Sequence, residues 1–467
     1  MNTFDQASTA SAVAKPSAFY FRAWRWHFYS GLFVVPFLLI LAITGTVMVY
    51  FTGFQDRLGQ PVYVTGQGPT KPVGMQAQAV LQKYPEATIA EYVSPKESGL
   101  SAWFIIANEG MTLAVAVNPY TAEVIKEVDK ENTLYAWAAK IHRKLLLGDT
   151  GDRIVEIASG LAVVQLVTGL YLFWPRNGGK WGDILVPDLA ASGRKLWKAL
   201  HTSVGFYISI VLLVFLLSGH AWTGIWGAKF VQPWNSFPAA KWDAPKSDLT
   251  HASLNTADLR EVPWGLEQTP LPASGSDAGQ AGVPAGQAVN LDAVFGLAQT
   301  LGFSGQFHVA VPQDESGVYS ISADTMSGDL KVPNQDRTVH IDRYTGKILA
   351  DVKYADYPLM AKAMAVGIAF HQGDLGLWNA ALNIVLTCAI AFLCVSGVVM
   401  WWKRRPVGTG HLGAPLMPAE SRLWKGGMLV MVLTGMAFPL AGIAMVLALV
   451  LDAGTSAALS ALRGKLN

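Results

Sequence analysis

Two histidines stand in one repeated register. His27 and His201 each follow a tryptophan and a basic residue, with a glycine four positions later and another fourteen beyond that: Gly31 and Gly45, then Gly205 and Gly219. A second pair recurs as well. His142 precedes Gly148-Asp149-Thr150-Gly151, and His371 precedes Gly373-Asp374-Leu375-Gly376; each leads into an apolar run that closes in tryptophan and basic residues. A neutral imidazole is a metal ligand, and ionisable side chains in membrane helices are costly and usually functional. Two imidazoles facing one another across a pseudo-twofold suit the iron of a haem, one above the ring and one below. The expected pairs are His27 with His201 and His142 with His371. With no CxxCH motif in the chain, the two haems would be held non-covalently, as b-type.

Other readings of the same residues stand beside this one. The histidines fit interfacial side chains that reach toward water. His142 and His371 also fit ligands of an outer copper or zinc ion, although no Asp, Glu or Cys cluster at ligand spacing accompanies them. His220 is unpaired, because Thr46 takes its place in the first repeat; it lies about a quarter turn from His201 on a helix and is an alternative ligand at the outer site. Gly31, Gly45, Gly205 and Gly219 would let a flat macrocycle approach the backbone. His251, His308, His340 and His411 lie in polar segments without evident partners and read as surface or core residues. Asp149, Asp152 and Asp374 read as ordering the polar entry to the spans, and Cys388 and Cys394 as small residues of an apolar helix.

The positioning elements follow from hydropathy. A chain of 467 residues with a mean hydropathy of +0.31 and 15% charged residues is expected to be an integral membrane protein. Its net charge of +2, without a large basic cluster, gives nucleic acid no foothold. Five apolar runs are long enough to span a bilayer, roughly 28–50, 154–174, 202–226, 375–402 and 427–451. Basic residues flank them on one side: Lys15, Arg22 and Arg25; Arg176, Lys180, Arg194, Lys195 and Lys198; Lys403, Arg404, Arg405, Arg422 and Lys425. The positive-inside rule places those segments in the cytoplasm, with the N-terminus inside and the C-terminus outside. Residues 1–18 are polar and small and read as disordered, and the first span as an uncleaved signal anchor.

The duplication extends to the loops. Each long loop has a helical pattern, around Gln76–Lys83 and Leu291–Leu301, followed by period-two stretches and a Tyr-Thr-(Ala/Gly) turn at Tyr120-Thr121-Ala122 and Tyr344-Thr345-Gly346. The fold class expected is a mainly α membrane protein of five transmembrane helices, two pseudo-repeated pairs plus one, with two small α+β modules outside. The divisions are a cytoplasmic tail (1–27), first span (28–50), first outer module (51–140), His-bearing entry and second span (141–176), cytoplasmic loop (177–200), third span (201–226), second outer module (227–360), His-bearing entry and fourth span (361–405), cytoplasmic loop (406–426), and fifth span with tail (427–467). Residues 263–289, rich in Pro, Gly, Ala and Ser, read as a flexible linker. Gly408-Thr409-Gly410-His411-Leu412-Gly413 matches GxGxxG but follows a span instead of a strand, so no nucleotide site is expected.

Taken together, the Trp-x-x-(x)-His openings, His142-Arg143-Lys144-Leu145-Leu146-Leu147-Gly148-Asp149, Gly224-Ile225-Trp226-Gly227, and His371 through Trp402-Lys403-Arg404-Arg405-Pro406 resemble the PepSY-associated transmembrane family. That family includes iron-regulated inner-membrane proteins and ferrisiderophore reductases. The resemblance implies a bacterial inner-membrane protein with two haem b, each between two histidines, and two periplasmic PepSY-like modules. It implies an enzyme that reduces ferric iron bound to a siderophore, with electrons from quinol or a cytoplasmic reductase. The family usually has an aliphatic residue where His220 stands. Arg143, Lys144, Trp137, Trp222 and Trp226 are candidates to contact an anionic ferric chelate, and no catalytic residue is assigned. Two other classes remain: a non-redox protein whose modules bind or restrain a periplasmic partner, and a permease for siderophore or haem.

Overall fold

The computed structural model describes residues 18–66, 68–175, 179–255, 261–405, 425–448 and 450–451. The expectations for residues 1–17, Arg176, the Gly408–Gly413 segment with His411, Arg422 and the tail after 451 lie outside the described residues.

The elements in order are α1 (Ala18–Phe54), α2 (Val73–Lys83), β1 (Thr88–Val93), β2 (Ala102–Asn108), β3 (Met111–Val117), β4 (Val124–Asp129), α3 (Leu134–Lys144), α4 (Gly148–Phe173), α5 (Gly182–Leu185) and α6 (Gly193–His220). They continue with β5 (Lys246–Thr250), β6 (Pro270–Pro272), α7 (Leu291–Thr300), β7 (His308–Ala310), β8 (Val318–Ala323), β9 (Arg337–Asp342), β10 (Ile348–Lys353), α8 (Leu359–Gln372), α9 (Leu377–Trp402) and α10 (Lys425–Ala437). A short apolar helix, α11 (Pro439–Ala448), follows. Four helices, α1, α4, α6 and α9, are long and apolar enough to cross a membrane.

The fifth apolar run does not form one such helix among the described residues. It breaks at Phe438, ahead of Pro439, whose ring cannot continue a helical hydrogen-bond ladder. A Cβ built on Gly442 would lie 2.7 Å from the Gly435 Cα. Residues seven apart in a straight helix are separated by about 10 Å, so α10 and α11 double back on one another.

Chain contacts define two units, 1–39 with 156–216 and 389–467, and 40–155 with 217–388. The first is helical in its described part. The second holds the sheet, which joins both long loops in the order β10-β9-β8-β7-β1-β2-β3-β4. Each loop supplies four strands in sequence, and the halves meet where β1 pairs antiparallel with β7, Val93 opposite His308. The sequence led to two separate modules; backbone pairing across the seam makes them one sheet.

Period-two alternation decides the faces. Phe104, Ile106, Val115 and Val117 enter the large core under α2 and α7, whereas Ile105 and Ala114 belong to a smaller cluster with Val93, packed by Leu58 and Trp103. The repeated turns also match: Ala122 and Gly346 take φ of 65° and 69°, and the preceding Asn118 and Asp342 side chains accept the amides of Tyr120 and Tyr344.

Three readings change. Residues 263–289, expected as a flexible linker, begin with Trp264 and Leu266, which are buried beside Phe237 and Met326, and Gly282 packs so closely on the Gly346 carbonyl that no side chain would fit. The Gly and Pro content there serves tight turns. His251 and His340, which showed no partners in sequence, are buried with their Nε2 atoms 2.9 Å apart. His308 is likewise partnered: burial works against its charge, but Asp329 at 3.0 Å and Glu91 at 3.1 Å hold it protonated, raising its pKa to about 10. In each case residues distant in sequence supply the contact.

Candidate functional site

The four recurrent histidines come together as two pairs, each inside one unit. In the first unit, His27 on α1 and His201 on α6 have ring centres 6.5 Å apart and planes at 88°. In the second, His142 on α3 and His371 on α8 have ring centres 6.3 Å apart and planes at 78°.

Each imidazole is set by the same local device on a neighbouring helix. His27 Nδ1 lies 3.0 Å from the Gln165 carbonyl and 3.2 Å from Thr168 Oγ1, on α4. His201 Nδ1 lies 2.7 Å from Ser396 Oγ on α9. His142 Nδ1 lies 3.0 Å from Thr44 Oγ1 on α1, with the Leu41 carbonyl also facing it. His371 Nδ1 lies 3.2 Å from Ser218 Oγ on α6. In all four cases the next residue is glycine: Gly169, Gly397, Gly45 and Gly219.

A carbonyl can only accept, so the Gln165 carbonyl at His27 Nδ1 and the Leu41 carbonyl at His142 call for Nδ1–H on these two rings. Thr168, Ser396 and Thr44 donate their own protons back to helix carbonyls, to Val164 at 2.7 Å, Leu393 at 3.1 Å and Ile40 at 2.8 Å. Their oxygens are thereby free to accept from an Nδ1–H of His27, His201 and His142. That leaves the Nε2 lone pair for a metal, the arrangement in which an outer hydrogen bond fixes a ligating imidazole. Among the described residues no hydrogen bond engages Nε2 of these three rings.

The glycines make room for the rings. A Cβ at Gly169, Gly45 or Gly219 would sit 3.1, 3.3 or 3.2 Å from Cε1 of His27, His142 or His371, whereas one at Gly397 would sit 3.9 Å from Cε1 of His201. This yields a graded prediction. Gly169→Ala, Gly45→Ala and Gly219→Ala are expected to overpack and destabilise by about 1–3 kcal/mol. Gly397→Ala, in ordinary contact, is expected to be neutral or to gain up to about 1 kcal/mol of helix propensity. Thermal unfolding of the purified variants checks the order; equal effects at all four positions would refute it.

The C-terminal end of α8 is fixed further. Asn383 donates to the carbonyls of Phe370 at 2.7 Å and His371 at 3.1 Å, and Thr52 donates to the Gln372 carbonyl at 2.7 Å. Trp222 stands edge-on to His371, with ring centres 5.9 Å apart, and its indole N–H donates to Glu261 at 2.9 Å.

The remaining sequence candidates fall elsewhere. His220 is fully buried edge-on to Trp226, with 5.4 Å between ring centres, and it is the adjacent Gly219 that faces His371. Gly31 faces the Gln165 side chain and Gly205 faces Leu393, so neither borders an imidazole. Arg143 is ion-paired with Glu261, Lys144 lies near Asp149, and Trp137 is exposed beneath the Lys140 ammonium. Asp152 accepts the Gly224 amide, and Asp374 is buried against Arg57. The residues missed in sequence are Thr168-Gly169 and Ser396-Gly397. The signal was present, since each dipeptide ends five residues before a tryptophan, Trp174 or Trp402. Among the described residues no group of three or more His, Cys, Asp or Glu is arranged to hold a metal ion.

Comparison with known proteins gives one family finding: the model of the PepSY-associated TM region matches residues 24–404. No curated protein matches the chain.

Proposed function

The chain belongs to the PepSY-associated transmembrane family, and from that premise we propose that it is a di-haem b-type protein of the bacterial inner membrane that reduces a ferric chelate outside the membrane. The expected substrate is a ferric siderophore, and the expected electron source quinol or a cytoplasmic reductase. His27 and His201 would hold one haem, His142 and His371 the other. When bound, haem iron supplies reversible one-electron chemistry between its ferric and ferrous states.

The spacing of the rings carries this reading. A metal–imidazole bond of about 2 Å, plus roughly 1.2 Å from nitrogen to ring centre, separates two ring centres across one shared ion by about 6.4 Å. The two pairs stand at 6.5 and 6.3 Å. Two protein donors per centre are too few for a structural zinc or copper site, and suit a cofactor that brings its own equatorial ligands.

The chain's own contribution is orientation and exclusion of competing states. Ser and Thr hydroxyls present the Nε2 lone pairs, and the glycines let the rings lie close to the helix backbone. The four-stranded halves of the sheet, read as two PepSY-like modules on the outer side, would flank the substrate's approach. The weaker hold of chelators on Fe(II) would then release the iron.

Absorption spectra of the purified protein, oxidised and then reduced, test the reading. Low-spin haem is expected, and anaerobic addition of a ferric siderophore should return the reduced spectrum to the oxidised one, while the iron-free siderophore leaves it unchanged. A colourless preparation would sink the proposal and favour a non-redox anchor. Siderophore uptake into vesicles without reoxidation would favour a permease.

A further inference from the structure

The last apolar run is built unlike the four helices that are long enough to cross a membrane. Its two arms, α10 with 13 residues and α11 over Pro439–Ala448, are about 20 and 15 Å long at 1.5 Å per residue. A hydrocarbon core is about 30 Å thick, so neither arm reaches across it.

A kinked span is the plainer reading of a proline in an apolar run, because spanning helices tolerate proline where neighbours satisfy the backbone. Two observations speak against it. Pro36 stands inside α1, which runs unbroken from Ala18 to Phe54, so proline by itself does not divide an apolar helix of this chain. At Pro439 the flanking backbones meet: a Cβ built on Gly435 would lie 3.2 Å from the Gly442 Cα, and one on Gly442 would lie 2.8 Å from the Gly435 carbonyl oxygen. A side chain at Gly442 would force the arms apart. A bend that kept the chain moving forward would not bring these two glycines into touch.

Burial follows the same division. At the apex Phe438 and Ala441 are 8% and 1% exposed, whereas Leu429, Leu433 and Met436 on α10 and Ile443 and Leu447 on α11 are 54–66% exposed. Irregular backbone at membrane depth is tolerated only where protein covers it, and the covered residues are those of the turn. The amides of Phe438 and Gly442 are bonded there, to the Thr434 and Phe438 carbonyls at 2.9 Å each. From Gly426 to Leu451 the sequence holds no ionisable side chain, so the exposed arms suit acyl chains and not water. The hairpin belongs to the first unit with most of α4 and α6, and its apolar surface continues theirs.

Charge gives the side. Arg422 and Lys425 stand before the run, against Glu420, and Arg463 and Lys465 stand after it, against Asp452. One crossing would carry the second basic flank outside, contrary to the positive-inside rule. A hairpin keeps both flanks together.

We propose that α10 and α11 form a re-entrant hairpin that enters the cytoplasmic leaflet, presents its arms to lipid acyl chains and returns Leu451 to the face from which Lys425 enters. The partner of this apolar surface is one half of the bilayer. The hairpin stands independently of haem and of any reaction.

Cysteine labelling of the full chain, with Cys388 and Cys394 replaced by alanine, tests the topology. Ser316→Cys, in an exposed position before β8, Ser421→Cys, ahead of the hairpin, and Ser456→Cys, after it, are treated with a membrane-impermeant maleimide in right-side-out and inverted vesicles. Ser421→Cys and Ser456→Cys should react at least tenfold faster from one and the same side, and Ser316→Cys from the other. Labelling of Ser421→Cys and Ser456→Cys from opposite sides would overturn the hairpin. Nitroxides attached at Leu433→Cys and Leu447→Cys report what covers the arms. Collisions with dissolved oxygen should exceed those with a water-soluble nickel chelate. The reverse order, or spin–spin broadening that vanishes on dilution with unlabelled protein, would overturn lipid as the partner in favour of water or of a second copy.

Discussion

His27→Ala and His201→Ala are each expected to lose half of the bound haem, and the spectra that remain should be the same in both. The rings stand 6.5 Å apart in one unit, held from different helices, so under the di-haem proposal removing either would leave the shared iron with a single imidazole. His142→Ala and His371→Ala should lose the complementary half. Reduced-minus-oxidised spectra of the four variants, together with haem extracted per polypeptide, decide the matter. Residual spectra that differ between His27→Ala and His201→Ala would break the pairing, and an unchanged haem content would remove these residues as ligands. Thr168→Val keeps the shape of its side chain but loses the acceptor for His27 Nδ1–H, while the Gln165 carbonyl remains; its effect should therefore fall well short of His27→Ala.

Arg57→Ala is expected to cost about 3–5 kcal/mol of stability, the usual effect of stranding one member of a buried ion pair. Arg57 donates to the Asp374 carboxylate at 3.0 Å and to the Met326 carbonyl at 2.8 Å, with side-chain exposures of 8% and 2% in the pair. Burial holds the Asp374 carboxyl above the ordinary carboxylate range, and Arg57 opposes that shift. Without the guanidinium, Asp374 would take up a proton or stay buried and unpaired. A fall in melting temperature of roughly 5–10 °C is expected for a unit of this size. Arg57→Ala with Asp374→Asn should recover part of the loss, because no charge is then stranded. A single variant that melts with the wild type, or a double variant worse than the sum of its singles, would show that the pair does not bear this energy.

Much of the architecture was written in local patterns. Hydropathy located α1, α4, α6 and α9, because a bilayer-spanning helix needs a long apolar run whatever surrounds it. The duplicated register of His27 with His201 and of His142 with His371 identified which rings meet, since repeated sequence folds to repeated structure. The Tyr-Thr-(Ala/Gly) turns were legible for the same reason: a left-handed position and an Asn or Asp that caps the next amide are short-range features.

What depended on distant contacts was not legible. The fusion of two four-stranded halves arises from β1 meeting β7, residues more than two hundred apart, and no local pattern encodes an edge's partner. The burial of Trp264, the His251–His340 contact and the doubling back at Pro439 required neighbours supplied by the fold. The hydroxyl–glycine notches belong to this class too. Small hydroxyl and glycine residues recur throughout apolar helices, and only packing of one helix against another brings Thr44, Thr168, Ser218 and Ser396 within hydrogen-bond reach of an imidazole. Sequence alone determined which residues repeat and which runs are apolar, because these are properties of the chain itself. The tertiary structure decided what faces Nδ1 of each ring, because the hydroxyl or carbonyl that meets it comes from another element.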